Sequence, residues 1–139
     1  IGTHNIRKYH DVNCLIINES ELRHELRQRD GNIEEMAVTL KDMISSKYIA
    51  VTQGKSGAFL IKNNKNPERS PGFAAQVIDK IGSGDALLAL LSVCLYSNFD
   101  EKLSLFIGSL AAAQSVETVG NSVPVSKRKL LKTISHLLK

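Results

Sequence analysis

Cysteine and histidine are scarce and form no metal-binding pattern. The chain of 139 residues has two cysteines, Cys14 and Cys94, and four histidines. It contains no CxxC pair and no HExxH or His-x-His spacing, the arrangements typical of zinc sites. The two cysteines are also far apart in sequence. The pattern therefore predicts reduced cysteines that pack in the interior.

Long apolar runs are missing as well. The longest, residues 86–96, is interrupted by Ser92 and is too short to span a bilayer. No secretory signal is visible. These absences favour a cytoplasmic protein without a membrane partner. Because the chain begins at Ile1 rather than at methionine, we expect it to be a fragment of a longer protein.

The composition, 42% hydrophobic and 23% charged, is that of a globular domain. A net charge of +4 and a pI of about 9.1 suit an anionic ligand but are too mild to indicate nucleic acid. The basic residues near the C-terminus have no aromatic residues between them, which argues against nucleic-acid binding. We interpret them as the solvated face of an amphipathic helix whose apolar stripe packs in the core. That stripe comprises Leu130, Leu131, Ile134, Leu137 and Leu138.

Hydrophobic periodicity predicts an α/β layered fold, with a sheet flanked by helices, in one domain spanning residues 1–139. The predicted strands are 12–17, 48–52, 58–62 and 74–79. The predicted helices are 19–29, 33–46, 86–97, 101–116 and 126–139. Segment 63–70 is predicted to be a polar loop. Asn32 is a candidate N-cap, with Glu35 at the capping-box position.

The stretch Gly82-Ser83-Gly84-Asp85 lies between a predicted strand and a long apolar helix. Glycines allow the backbone to approach a ligand closely. The amides and the dipole at a helix N-terminus form an anion site. A phosphate there would be held by the amides of Gly82, Ser83 and Gly84, with Asp85 aimed at the same point. Asp85 could then accept the proton of an attacking hydroxyl while the amides neutralise the transferring phosphoryl group. Taken alone, the same four residues also suit a simple helix cap.

Three ordered stretches resemble the ribokinase (PfkB-type carbohydrate kinase) family, specifically the nucleotide-binding C-terminal half of its kinase domain. Residues 79–85, Asp-Lys-Ile-Gly-Ser-Gly-Asp, are similar to the family's Asp-Thr-x-Gly-Ala-Gly-Asp. Asn18-Glu19-Ser20-Glu21 is similar to its Asn-x-x-Glu. Residues 51–57, beginning Val-Thr-Gln-Gly and ending in glycine, are similar to its Val-Thr-x-Gly-x-x-Gly.

The resemblance implies a sugar or sugar-phosphate kinase that uses ATP and Mg²⁺, with Asp85 as catalytic base and Gly82, Ser83 and Gly84 as an anion hole. It further implies that several residues contact the nucleotide or help to place the metal. These are Thr52, Gly54 and Gly57 at the nucleotide, and Asn18 and Glu21 near Mg²⁺ and phosphate. The resemblance places Ser109 near the adenine base, at a position where family members often carry an asparagine. It also allows a homodimer formed through an N-terminal half, which we do not find in this sequence.

Two departures from the family pattern have consequences. Ser83 replaces alanine, which leaves the backbone amide in place. Lys80 replaces threonine, which weakens the case for a monovalent cation such as K⁺ beside Asp79. A basic residue at this position is more similar to the heptose-phosphate kinase (RfaE-like) branch of the family.

Other interpretations of the same motifs are possible. Asn18 and Glu21 also have the spacing of a helix cap. A P-loop at Gly54-Lys55-Ser56 fails, because its first glycine would fall at Ile49 and a strand follows. A non-catalytic nucleotide-binding or interaction module derived from a sugar kinase is the alternative to an active kinase. A basic nucleic-acid-binding domain is the third and least favoured class.

Overall fold

A computed structural model of the protein describes residues 6–63, 66–74, 76–79, 81–117, 119 and 122–137. It contains two compact units, Ile1–Pro71 and Gly72–Lys139. The strands are β1 Cys14–Asn18, β2 Tyr48–Thr52, β3 Ala58–Lys62 and β4 Glu68–Ser70. The α-helices are α1 Glu19–Leu26, α2 Ile33–Met43, α3 Ser83–Tyr96, α4 Glu101–Ser115 and α5 Lys127–Leu137. Short 3-10 turns occupy Ile6–Lys8 and Gly54–Ser56. The mixed α/β architecture agrees with the predicted fold class, while the prediction of one domain over residues 1–139 stays a prediction.

The first unit is a four-stranded sheet in the order β1-β2-β3-β4, with α1 and α2 between the first two strands in sequence. β1 and β2 are parallel, and the other neighbouring pairs are antiparallel. The β2 and β3 boundaries coincide with the predicted strands because both are uninterrupted apolar runs next to turn residues. Their core-facing side chains pack with apolar residues of α1 and α2, including Leu22 and Leu40, which are fully buried.

Strand β4 falls inside the segment for which the sequence predicts a polar loop, so that prediction is wrong. Its three residues pair with Leu60–Ala58 of β3. Ser70 is buried, and the Arg69 guanidinium lies 5.5 Å from the centre of the Phe59 ring. This short polar segment is therefore a strand because its backbone pairs with β3, and the pattern of its side chains does not predict that pairing.

The predicted strand over 74–79 does not form in the described part of that segment. The amides of Ile78 and Asp79 instead donate to the carbonyl of Val116, at 2.8 and 3.2 Å. Val77 and Ile78 are exposed. A β-branched run becomes a strand only beside a strand that offers it a complete row of partners, and here a single carbonyl at the end of α4 takes that role.

The second unit is organised around the contact between α3 and α4. A Cβ atom added at Gly108 of α4 would lie 2.8 Å from Leu87 Cδ1 and 3.3 Å from Leu91 Cβ, so the two helices approach closely there. The Phe73 and Phe106 rings meet edge to face, with centroids 5.4 Å apart. The prediction that helix α3 is buried is only partly right: Leu87, Leu91 and Cys94 are buried, but Val93 and Tyr96 are 62% and 89% exposed.

Helix α5 is amphipathic, as predicted, and its described basic residues are exposed. The expected core packing of its stripe is wrong in part. Leu130 is buried, whereas Leu131 and Leu137 are about half exposed. Contacts with the preceding chain lie near the start of the helix, where Lys129 pairs with Glu117 and the Ser126 amide donates to Gln114 Oε1 at 3.0 Å. Leu138 lies outside the described residues.

Both cysteines are free thiols, in agreement with the predicted reduced state. Burial raises the pKa of the Cys14 thiol to about 12 and raises that of Cys94 as well. A thiol in such surroundings is a packing group rather than a nucleophile.

Candidate active site

The carboxyl ends of β1 and β2 bring two of the predicted motifs together. In the parallel pairing of these strands, Asn18 is the register partner of Thr52. Helix α1 begins directly after Asn18, and the 3-10 turn begins directly after Gln53. Carboxyl ends of parallel strands are the usual place for ligand sites in open α/β sheets. The Asn-x-x-Glu and Val-Thr-x-Gly segments therefore form one edge of the first unit.

Asn18 and Glu21 form a complete capping box at the start of α1. The Glu21 amide donates to Asn18 Oδ1 at 2.8 Å, and the Asn18 amide donates to Glu21 Oε2 at 3.1 Å. The helix-cap interpretation is thus confirmed, and both side chains remain exposed at the sheet edge. At α2, Asn32 is the N-cap as predicted, but its Oδ1 accepts from the amide of Glu34, at 2.9 Å, rather than from that of Glu35 at the predicted capping-box position.

The turn from Gln53 to Gly57 depends on glycine. Gly54 has φ 57° and Gly57 has φ 92° and ψ −138°. Residues other than glycine rarely adopt the backbone conformation of Gly57. Backbone bonds close the turn: the Gln53 amide donates to the Gly57 carbonyl at 2.8 Å, and the Ser56 amide donates to the Gln53 carbonyl at 3.1 Å. Because strand β3 follows, this segment is no P-loop.

Glu19 and Gln53 lie inside the quoted motifs and make a contact that the sequence prediction missed. Gln53 Nε2 donates to Glu19 Oε2 at 2.8 Å, and Arg23 donates to Glu19 Oε1 from Nε and Nη2 at 3.0 and 2.8 Å. The Gln53 hydrogen bond, and next the Arg23 guanidinium, lower the pKa of the Glu19 carboxyl below its usual 4.5. Their position directly after two paired strand ends is the only signal that could have indicated them.

The lowered pKa of Glu19 predicts that the stability of the folded protein decreases at acidic pH. The folded state holds the proton of Glu19 less tightly than the unfolded state, so this stabilising contribution is complete above about pH 4.5 and is lost as the pH falls through the folded pKa. We expect the free energy of unfolding to decrease below that pH in the natural protein and to decrease less in Glu19→Gln. Denaturant unfolding between pH 6 and pH 3 would measure this. An equal decrease in the free energy of unfolding with pH in the two proteins would contradict the prediction.

In the second unit, the Gly82-Ser83-Gly84-Asp85 stretch begins α3 as predicted. Gly82 is the N-cap with φ 81°, a left-handed conformation that glycine adopts easily. The Ala86 amide donates to the Gly82 carbonyl at 3.0 Å and closes the first helical turn. Asp85 lies in that turn and is exposed. The helix thus presents its positive end, where the first amides lack intrahelical carbonyl partners, beside an accessible carboxylate.

Asp79 shapes the approach to this helix. Its Oδ1 accepts a hydrogen bond from the Ile81 amide at 3.0 Å, which turns the chain toward Gly82. Lys80 lies outside the described residues. Ser109 is on α4 and only 9% exposed, and its hydroxyl has no hydrogen-bond partner in the described part of the chain. Across the same residues, no three His, Cys, Asp or Glu side chains converge as metal ligands, and no helix is both long and apolar enough to cross a bilayer.

The described α/β protein has a sheet edge with a glycine turn in its first unit, and a glycine-led helix with an exposed acid in its second. The sequence profile of the pfkB family carbohydrate kinases matches residues 4–128. The chain therefore belongs to the pfkB family of carbohydrate kinases.

Individual relatives agree with this assignment. The chain is 29% identical over 131 residues to the bifunctional protein HldE of Koribacter versatilis, covering 92% of this chain and 26% of the relative. It is 32% identical over 107 residues to HldE of Campylobacter fetus, covering 77% of this chain and 20% of the relative. The chain thus spans about a quarter of the length of the curated relatives it matches.

Solved structures share the fold. Arabidopsis thaliana ribokinase, complexed with ribose and ATP, superposes with a TM-score of 0.74 at 25% identity, over 86% of this chain and 40% of the ribokinase. Phosphofructokinase-2 from Escherichia coli, in complex with substrates and products, gives a TM-score of 0.81 at 15% identity, over 96% of this chain and 44% of that enzyme. The predicted ribokinase-like fold is confirmed.

Proposed function

We propose that the protein takes part in ATP-dependent phosphoryl transfer to a hydroxyl group of a sugar or sugar phosphate. The observation that carries this proposal is the exposed Asp85 carboxylate in the first turn of α3, directly behind the left-handed Gly82. A carboxylate and a row of backbone amides at one point are what a phosphoryl-transfer site needs, a proton acceptor and a stabiliser of negative charge.

In the proposed reaction, the oxygen of the sugar hydroxyl attacks the γ-phosphorus of ATP. The hydroxyl proton passes to a carboxylate oxygen of Asp85, the bond between the γ-phosphorus and the bridging oxygen breaks, and ADP leaves with its bonding electrons. The amides of Gly82, Ser83 and Gly84 stabilise the charge on the transferring group. Most of the catalysis in such a reaction comes from positioning and electrostatics rather than from covalent chemistry with the protein.

The sheet edge of the first unit is the proposed nucleotide side. Thr52, Gly54 and Gly57 belong to the turn at this edge, and Gly54 is exposed and has no side chain, so a ligand can approach its backbone closely. Ser109 is the proposed polar contact to the adenine base of the nucleotide. Its hydroxyl is buried and has no hydrogen-bond partner among the described residues, which supports this role. A small buried donor is stabilised when a ligand supplies the missing hydrogen bond.

Mg²⁺ fits the residues present. This ion keeps several waters and needs few protein ligands beyond phosphate oxygens. Glu21 is exposed and uses Oε2 in the capping box, so its carboxylate can hold a hydrated ion without unfolding the cap. Asn18 would help to place the phosphate beside it. The metal would neutralise the phosphate charge. A monovalent cation beside Asp79 is also proposed, although one carboxylate oxygen there already accepts from Ile81.

The substrate class follows from the relatives. Ribokinase binds ribose with ATP in the Arabidopsis structure, and the profile that matches residues 4–128 is that of carbohydrate kinases. A sugar or sugar phosphate is therefore the proposed acceptor, and a homodimer stays a prediction.

Calorimetric titration of the chain with Mg·ATP tests the proposal, followed by a transfer assay against a panel of sugars and sugar phosphates. We expect saturable binding with a dissociation constant in the range of roughly 1 μM to 1 mM that kinases use for substrates. Absence of binding would contradict the proposal. Binding without transfer to any acceptor would favour the non-catalytic nucleotide-binding module instead.

A further inference from the structure

We propose that the hydrogen bond between Gln53 and Glu19, here called the Glu19–Gln53 bridge, is a positioning device that holds the nucleotide turn in its binding conformation. The inference rests on the proposed function, since it assigns a role in nucleotide binding to two residues that lie at the variable positions of their motifs. Neither residue is required to touch the nucleotide.

The bridge joins two turns that are remote in sequence. Its donor and acceptor are 34 residues apart, and the Nε2–Oε2 distance is 2.8 Å. Glu19 is the first residue of α1, immediately after Asn18, and Gln53 immediately follows Thr52, the register partner of Asn18. The bridge thus extends the parallel pairing of β1 and β2 by one side-chain bond beyond the point where the backbone pairing ends.

Gln53 is the residue through which the whole turn can be held. Its amide donates to the Gly57 carbonyl and its own carbonyl accepts from the Ser56 amide, so two of the three backbone bonds that close the turn involve it; the third joins the Gly57 amide to the Gly54 carbonyl. Gln53 forms no side-chain cap on the 3-10 turn that it precedes. Its side chain is used on Glu19 instead, and fixing it therefore fixes the backbone of the turn.

Glu19 is itself held rigidly. While Oε2 accepts from Gln53, Oε1 accepts two hydrogen bonds from Arg23. Arg23 is anchored in turn, because its Nη1 donates to the Arg29 carbonyl at 3.0 Å and lies 3.7 Å from Met36 Sδ. The chain of contacts runs from α2 through Arg23 and Glu19 to the turn, so the rigid helices of the first unit set the position of Gln53.

The simpler interpretation is that Glu19 only stabilises α1. An acid in the first turn, paired with an arginine four residues later, is a common surface arrangement of small energetic value. That role needs no partner on β2. The Gln53 contact is what separates the two interpretations, and their predictions differ at the turn.

Two variants remove the bridge from opposite sides. Glu19→Ala deletes the acceptor, and Gln53→Ala deletes the donor while leaving the Glu19–Arg23 pair of α1 intact. We expect each to weaken Mg·ATP binding by about tenfold, as loss of a hydrogen bond to a charged group would. The double variant should be no weaker than either single variant, because both remove the same interaction. Glu19→Gln keeps an acceptor oxygen and should restore most of the affinity.

Hydrogen exchange of the Ser56 and Gly57 amides supplies a readout without nucleotide. We expect faster exchange at both amides in Glu19→Ala and Gln53→Ala, because the turn opens more often when Gln53 is released. Glu35→Ala is the matched control: it removes an exposed first-turn acid from α2 and with it the same charge. It should change neither exchange at the turn nor Mg·ATP affinity.

The outcomes distinguish this inference from the proposed function. If the natural protein binds Mg·ATP and the bridge variants bind equally well, the bridge has no positioning role and the proposed function stands. If the losses of Mg·ATP binding free energy in the two single variants add up in the double variant, Glu19 and Gln53 act separately, and the proposed role of the bridge is overturned. If the natural protein does not bind Mg·ATP, the proposed function fails and the nucleotide role of the bridge fails with it, whatever the exchange rates show.

Discussion

Asp85→Asn is expected to lower the rate of phosphoryl transfer by about 10²–10⁴-fold while leaving Mg·ATP affinity nearly unchanged. Asparagine has the shape of aspartate and keeps the first turn of α3, but its amide cannot accept the proton of the sugar hydroxyl. Since the amides that would hold phosphate belong to the backbone, they survive the substitution. Steady-state transfer kinetics together with calorimetric Mg·ATP titration would measure both effects.

The control for this experiment is Glu35→Gln, which neutralises an exposed carboxylate of α2 in the first unit. We expect it to leave the transfer rate unchanged. A rate for Asp85→Asn close to that of the natural protein would show that Asp85 is a helix-start acid without catalytic function. Loss of Mg·ATP binding in the variant would instead show that the Asp85 carboxylate contributes to nucleotide binding rather than to proton transfer.

Gly108→Val is expected to destabilise the second unit by about 1–3 kcal/mol. The added side chain would overlap Leu87 and Leu91 of α3, whose nearest atoms lie 2.8–3.3 Å from the position that a Cβ atom would take. One of these neighbours is the backbone carbonyl of Leu87, at 3.2 Å, which cannot move without shifting the helix. Denaturant unfolding monitored by circular dichroism would measure the loss of stability.

Gly84→Val provides the matched comparison. Gly84 is also a helical glycine, but a Cβ there would meet nothing within 4 Å. Valine has a slightly better helix propensity than glycine, so we expect stability to stay within about 0.5 kcal/mol of the natural protein. Equal losses in the two variants would mean that the cost comes from changing a helical glycine and not from the contact between α3 and α4.

The uninterrupted apolar segments were the part of the fold that could be predicted from sequence. β2 and β3 were placed without error because each is a run of apolar residues that ends at turn residues. The helices were found as well, with errors at their ends: α2 stops at Met43 rather than at residue 46, and α3 begins at Ser83 rather than at residue 86. The hydrophobic pattern within each of these segments determines its secondary structure, so the pattern alone is enough to predict it.

Pairing between distant segments was not predictable in the same way. β4 is a strand because β3 lies beside it, whereas residues 76–79 are not a strand, and the amides of Ile78 and Asp79 donate to the Val116 carbonyl instead. The exposed side of α3 was misjudged for a related reason: its residues are apolar on every side, so composition indicates burial without saying which face is covered.

The candidate site shows the same division. The glycines, Asn18, Glu21 and Asp85 were selected from spacing and from the family resemblance, and the structure brings Asn18 and Thr52 into register. The catalytic and binding roles stay predictions. The Glu19–Gln53 bridge was not foreseen, since no rule of local sequence links two polar residues in different turns.

The capping box of α1 has a consequence for how this protein can evolve or be engineered. Many functional residues reduce stability, so that removing them makes a protein more robust at the expense of activity. Asn18 is different, because loss of an N-cap side chain costs about 1 kcal/mol. Under the proposed function, natural selection for folding and selection for catalysis act on this position in the same direction. A search for stabilising substitutions would therefore leave Asn18 in place even in a protein with no activity to protect, and retention of this residue among relatives is poor evidence that they are active.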